Sequence, residues 1–259
     1  SNFNRVLFAV ILTFFITACK FGDDHRYNDW TVTGGSKQAI HYSSLNEIDS
    51  SNVNQLKIAW EYHSGDADTA KHSQMQCNPI IVNGIMYVTS PRLRLIALDA
   101  ATGNEKWVFD PDTINKNKEF NHFILNNNRG VTYWEDADDK RILYTAGFMI
   151  YAVNALNGKM ITSFGNGGRI DLHEGLGRDV KELYVAATSP GIIYKDLYIL
   201  GSRVDEGPAA APGHIRAYDV RTGQLKWIFH TIPQPGEFGY DTWEDPEAWK
   251  HIGGANSWS

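Results

Sequence analysis

The chain is written in short apolar runs separated by turn signals. Ile80-Ile81-Val82 is followed by Asn83-Gly84 and then Ile85-Met86-Tyr87-Val88, two apolar strands around the dipeptide best suited to a two-residue hairpin. The same grammar recurs at Ile192-Ile193-Tyr194, Lys195-Asp196 and Leu197-Tyr198-Ile199-Leu200. Beyond the first two dozen residues, no long stretch carries the 3.6-residue apolar period of an amphipathic helix. The pattern predicts an all-β fold from about Trp30 onward.

Self-comparison finds three related segments, beginning Ile96-Ala97-Leu98-Asp99, Tyr151-Ala152-Val153-Asn154 and Arg216-Ala217-Tyr218-Asp219. Each has Ala, then Asp or Asn two positions on, then a glycine (Gly103, Gly158, Gly223) four positions further. In the first and third copies a tryptophan, Trp107 or Trp227, follows that glycine by four. The spacing of roughly 60 residues suits a four-stranded blade plus insertions, the repeat unit of a propeller. Asp-x-x-Thr-Gly predicts a tight turn in which Gly takes a positive φ. The tryptophan opens the outermost strand, where its ring wedges between blades and its indole N–H needs a backbone acceptor. The second copy has Thr162 in that place, with Phe164 as the candidate substitute.

Composition then narrows the classes of function. The 259 residues carry 24 basic and 30 acidic side chains, a net charge of −6, which argues against a nucleic-acid binder. Two cysteines make neither a disulfide framework nor a four-sulfur zinc site. Residues 1–24 read as targeting and tether: Arg5 precedes the apolar run Val6 to Ala18, and Ile16-Thr17-Ala18-Cys19 resembles a bacterial lipobox in which Cys19 is acylated. The alternative is a buried N-terminal element with an incidental cysteine. Cys77 reads as a small buried hydrophobe. Residues 25–259 form the propeller region.

The pattern Ala-x-Asp-x-x-Thr-Gly-x-x-x-Trp resembles the tryptophan-docking motif of eight-bladed quinoprotein dehydrogenases, which use pyrroloquinoline quinone (PQQ). The resemblance runs from about Trp30 to Ser259, and Leu56 to Tyr62, with Trp60, looks like the outer strand of the blade that closes the ring. Eight blades at this spacing need roughly 450 residues. The expectation is therefore an incomplete propeller from the N-terminal part of such an enzyme. Alone it would be inactive and, with raw strand edges, would aggregate; a soluble monomer with one cooperative unfolding transition would refute the second point.

The resemblance also implies a site at the blade-top loops. Arg129, in Asn128-Arg129-Gly130, matches the arginine that contacts PQQ, and its planar fork suits carboxylate or quinone oxygen. Gln76 stands where relatives place a Glu or Gln hydrogen-bonded to the cofactor, and Thr188 and Ser189 where relatives bond the quinone. Glu206, with Asp205 beside it, matches a ligand to Ca2+ or Mg2+ next to the quinone, metals that want oxygen. Trp258 matches the indole on which the quinone lies. Each has a plainer reading: a surface arginine, a loop amide, solvated acids, one more packing ring. The methanol branch carries a cysteine pair where this chain has Phe123-Ile124, which directs the resemblance to the glucose-dehydrogenase-like branch.

No His-Glu-x-x-His, no Gly-x-Ser-x-Gly and no phosphate-binding glycine loop is present. The expected function is oxidation of a sugar or alcohol hydroxyl outside the cytoplasm, by hydride transfer to the metal-polarised quinone. A quinone or cytochrome would accept the electrons, and the general-base aspartate is expected beyond Ser259. Two alternatives stand beside it: a cofactor-free propeller lipoprotein serving as an outer-membrane assembly scaffold, and a binding propeller without catalysis.

Overall fold

A computed structural model describes residues 28–68, 70, 73–114 and 127–257. Twelve strands form three four-stranded antiparallel sheets, each a meander from an inner to an outer strand. The first blade is β1 (Ile80–Val82), β2 (Ile85–Thr89), β3 (Leu95–Asp99) and β4 (Glu105–Phe109). The second is β5 (Thr132–Asp136), β6 (Asp139–Ala146), β7 (Met149–Asn154) and β8 (Arg169–Asp171). The third joins β10 (Ile192–Tyr194), β11 (Leu197–Leu200), β13 (Ile215–Asp219) and β14 (Leu225–Phe229). Between β11 and β13 the chain makes an excursion, where β12 (Arg203–Val204) pairs with β9 (Val185–Ala186). This is the partial propeller that the repeat predicts.

The expected hairpins form in the expected register. Val82 faces Ile85 across Asn83-Gly84, whose φ angles of 50° and 75° are those of a type I′ turn. Tyr194 faces Leu197 across Lys195-Asp196. The repeat turns also behave as their composition demands. Asp99 Oδ1 accepts from the Thr102 amide and hydroxyl, each at 3.1 Å, and Asp219 Oδ1 does the same for Thr222 at 2.9 and 3.0 Å. Asn154 keeps one such acceptor, taking the amides of Leu156 and Asn157.

Indoles lock neighbouring units together. Trp60 Nε1 donates to Ala100 O at 3.2 Å, and Trp107 Nε1 to Ala155 O at 3.1 Å. Each ring lies on the next turn's glycine: a Cβ on Gly103 would come within 2.5 Å of Trp60, and one on Gly158 within 2.7 Å of Trp107. Both glycines also have φ above 70°, so the turn and the ring require the same residue. Leu56 to Tyr62, expected as a strand, joins no sheet among the described residues, because an extended segment becomes a strand only with a neighbour to bond; Trp60 docks all the same.

The third junction divides the tryptophan's two tasks. Phe164 is fully buried in the cluster containing Ile170, Tyr218 and Val220, which supplies the apolar part. The donor comes from elsewhere: Arg141 Nη1 reaches Val220 O at 2.9 Å, the carbonyl equivalent to Ala100 and Ala155. Asp139 holds that guanidinium with two hydrogen bonds, at 2.8 and 2.6 Å. Gly223 faces the Gly165 backbone and Ile170 rather than a ring, and the Gly165 amide donates to Thr222 O. Trp227, the tryptophan of the third copy, is 40% exposed on β14 beside Phe229 at 60%. Cys77 packs half-buried against Val88, Ile96 and Leu98, and its Sγ accepts from the Thr89 amide.

Candidate functional site

The chain enters the innermost strand of each blade through one loop: residues 73–79 before β1, 127–131 before β5 and 187–191 before β10. These loops are stitched across blades by backbone bonds. The Asn78 amide donates to Arg129 O at 3.0 Å, and the Arg129 amide to Thr188 O at 2.7 Å. Asn128 fixes the middle loop from below: it is 2% exposed, takes the Gly130 amide on Oδ1 and donates from Nδ2 to Thr145 O. Thr145 in turn donates to Ala187 O at 2.6 Å. Buried hydrogen bonds of this kind hold loops rigidly, because breaking one leaves a desolvated polar atom.

On that frame the structure brings Gln76, Arg129 and Thr188 together. Gln76 Oε1 accepts from Arg129 Nε at 3.3 Å and from Asn127 Nδ2 at 2.7 Å, while Gln76 Nε2 donates to Gln74. Asn127 was not among the residues expected from the sequence; its only signal there is the run Asn126-Asn127-Asn128 ahead of Arg129. Its Oδ1 is buried without a hydrogen-bond partner, leaving an acceptor for the N–H or O–H of a ligand. Arg129 also borders a large hollow, about 1030 Å³, along the inner strands, with Thr132, Glu135 and Ile192 on its wall.

A second hollow of about 280 Å³ opens beside Thr188 and Ser189, and Ser202, Arg203 and Ser257 share its wall. Among the described residues no carboxylate lines it. The tail reaches this place because Gly201 has no side chain: a Cβ there would sit 2.1 Å from Ser257 O. Trp258 follows Ser257 and lies outside the described residues, as does Cys19. Asp205 and Glu206 are exposed on the loop after β12 and do not line this hollow. Among the described residues no three His, Cys, Asp or Glu side chains converge on a point where a metal could sit. The Glu206 backbone nonetheless packs on the tail, where a Cβ on Gly254 would come within 3.3 Å of Glu206 O.

The family model for the PQQ glucose/ethanol/alcohol dehydrogenase β-propeller domain matches residues 30–259. The chain belongs to that family. It is 34% identical over 252 residues to quinoprotein glucose dehydrogenase A of Acinetobacter calcoaceticus, an alignment covering 86% of this chain and 31% of that protein. It is 31% identical to the dehydrogenase subunit of the quinone alcohol dehydrogenase of Gluconobacter oxydans, covering 88% of this chain and 30% of the relative. Among solved structures, quinohemoprotein alcohol dehydrogenase from Comamonas testosteroni superposes with a TM-score of 0.63 at 28% identity, over 81% of this chain and 28% of that one. The chain thus spans about 30% of the length of the curated relatives it matches.

For this quinoprotein propeller, the donor set fits a flat anionic cofactor. PQQ carries three carboxylates and two quinone oxygens, all acceptors at neutral pH. The loops offer a guanidinium, primary amides and hydroxyls. The small hollow at Thr188 and Ser189 has no acid among its described lining residues to repel an anion, whereas the large hollow that Arg129 borders carries Asp29, Glu135, Asp136 and Asp196.

Proposed function

We propose that this segment forms part of the cofactor site of a PQQ-dependent dehydrogenase that oxidises a sugar (glucose-like) or alcohol hydroxyl. The observation that carries the reading is the stitched line Asn78–Arg129–Thr188 within a quinoprotein propeller, which sets the Gln76–Arg129 pair next to Thr188, at the edge of a hollow with no carboxylate among its described lining residues. When bound, the quinone supplies a two-electron acceptor for the hydride leaving the substrate carbon.

The chain's own residues bind and orient. Arg129 neutralises a carboxylate or quinone oxygen, Gln76 adds an amide without adding negative charge, and Thr188 and Ser189 offer hydroxyls. Trp258 gives the ring a flat apolar floor. Glu206, with Asp205, contributes oxygen to Ca2+ or Mg2+. None of the described residues is assigned as the base that takes the hydroxyl proton. A quinone or cytochrome takes the electrons onward, and Cys19 tethers the protein at the periplasmic face of a membrane.

The test is PQQ and metal titration of the full-length protein, followed by absorbance of the bound quinone. Arg129→Leu should weaken quinone binding by about tenfold or more, the loss of a charge-assisted hydrogen bond. Glu206→Gln should shift the metal titration to higher concentration. Unchanged quinone binding in Arg129→Leu would remove the site from these loops, and an unchanged metal curve would remove Glu206 from the metal.

A further inference from the structure

The largest fully buried side chain among the described residues is a charged one. Arg216, on β13, is 1% exposed. Its guanidinium donates to Leu172 O at 2.8 Å, to Glu174 O at 2.9 Å and to Ser202 Oγ at 3.2 Å, while its Nε has no hydrogen-bond partner. Among the described residues no carboxylate bonds it. Asp171 is near enough to interact with the charge, but its Oδ1 is spent on His173 Nδ1 at 2.7 Å, a partner that itself becomes cationic. A guanidinium keeps its proton even when buried, so a charge without a hydrogen-bonded counter-ion sits inside the third blade.

Ser202 stands between that charge and the small hollow. It is 2% exposed and lines the hollow with Thr188, Ser189, Arg203 and Ser257. Its oxygen already accepts from Arg216, so its own proton must be donated elsewhere. The protein acceptor within reach is His214 O, at 3.5 Å, too long to hold it well. An anionic oxygen in the hollow would take that proton at normal distance and would feel the guanidinium behind it.

We infer that Arg216 acts through Ser202 as a positioning residue, aiming a charge-assisted hydroxyl at an anionic oxygen of the ligand in this hollow. The inference rests on the proposed PQQ site and adds to Arg129, and to Arg203 on the wall of the hollow, a cation that acts from behind that wall. It differs from a packing role in one respect: it acts on ligand charge alone.

The experiment measures equilibrium binding of PQQ and of its uncharged trimethyl ester to the full-length protein, by quenching of protein fluorescence. Ser202→Ala, a change small enough to keep the fold, should weaken binding of the acid about tenfold and leave the ester unchanged. Arg216→Met should lower acid binding at least as much, and Arg216→Lys, which keeps the charge, should recover part of it. Equal losses for acid and ester would mean loosened packing and would overturn the inference, as would no loss for either ligand in Ser202→Ala. Should Arg216→Met fail to fold, Ser202→Ala and Arg216→Lys decide the matter. Arg129→Leu, measured alongside, separates the two levels: if it weakens the acid while Ser202→Ala does not, the relay fails and the quinone site stands; if neither weakens it, the site itself fails.

Discussion

Gly158→Ala isolates what an indole on a glycine contributes to a blade junction. Gly158 has φ 71°, and a Cβ there would lie 2.7 Å from the Trp107 ring. Gly84 provides the control, because its φ of 75° is similar but nothing lies within 4 Å of its Cβ position. Alanine at Gly84 therefore costs only the left-handed backbone term, about 1–2 kcal/mol. Alanine at Gly158 costs the same term plus displacement of a packed ring, about 1–3 kcal/mol more. If the ring moves far enough to lose its bond to Ala155 O, about 1 kcal/mol is added. Native-state hydrogen exchange in the full-length protein reads each site locally, at the Ala100 amide for the Gly84 turn and the Asn154 amide for the Gly158 turn. Gly158→Ala should lower protection by about tenfold or more beyond the loss seen in Gly84→Ala. A cycle with Trp107→Leu should return the Gly158 cost to the control value. Equal losses at the two glycines, or no relief from removing the ring, would refute the wedge as the source of the energy.

Arg141→Met should open the junction between the second and third blades, raising exchange at Val220 and Gly165 while leaving the Trp107 junction protected, because it strands two carbonyls that the guanidinium now satisfies; unchanged exchange there would return the whole task to Phe164. The loop from Asp171 to Leu183 should respond to pH. Its anchor His173 bonds Asp171 through Nδ1 and Leu183 O through Nε2, and the Asp171 carboxylate raises its pKa above the ordinary value near 6.5. The stabilisation is therefore complete below about pH 6.5 and is lost as pH rises through the folded pKa. Asp171 runs the other way: burial raises its pKa, but the His173 donors outweigh that and hold it below the usual carboxylate value, so its contribution fades in acid. Exchange at Leu183, corrected for intrinsic rate, should accelerate on the alkaline side in the native protein and show no such step in His173→Gln; a step that persists would dismiss the imidazole as its cause. Cys19→Ser should release the protein from the membrane fraction, and retention there would end the lipid-anchor reading.

The repeat, the hairpins and the family were legible in the residues because each depends on chemistry within a few positions. Asn83-Gly84 closes a strand pair through its own backbone angles, and Asp99 finds the Thr102 donors three residues away. Such rules hold wherever the segment sits. The tertiary structure decided what depends on residues brought from afar. That Asp139-braced Arg141 stands in for an indole on Val220 O could not be read from Thr162 or Phe164, since the donor and acceptor are 79 residues apart. The same applies to the line from Asn78 through Arg129 to Thr188, and to Asn127 beside Gln76. The charge of Arg216 was visible in the sequence. That it lies buried behind Ser202, without a bonded counter-ion, follows only from how the third blade packs against the loop at Leu172.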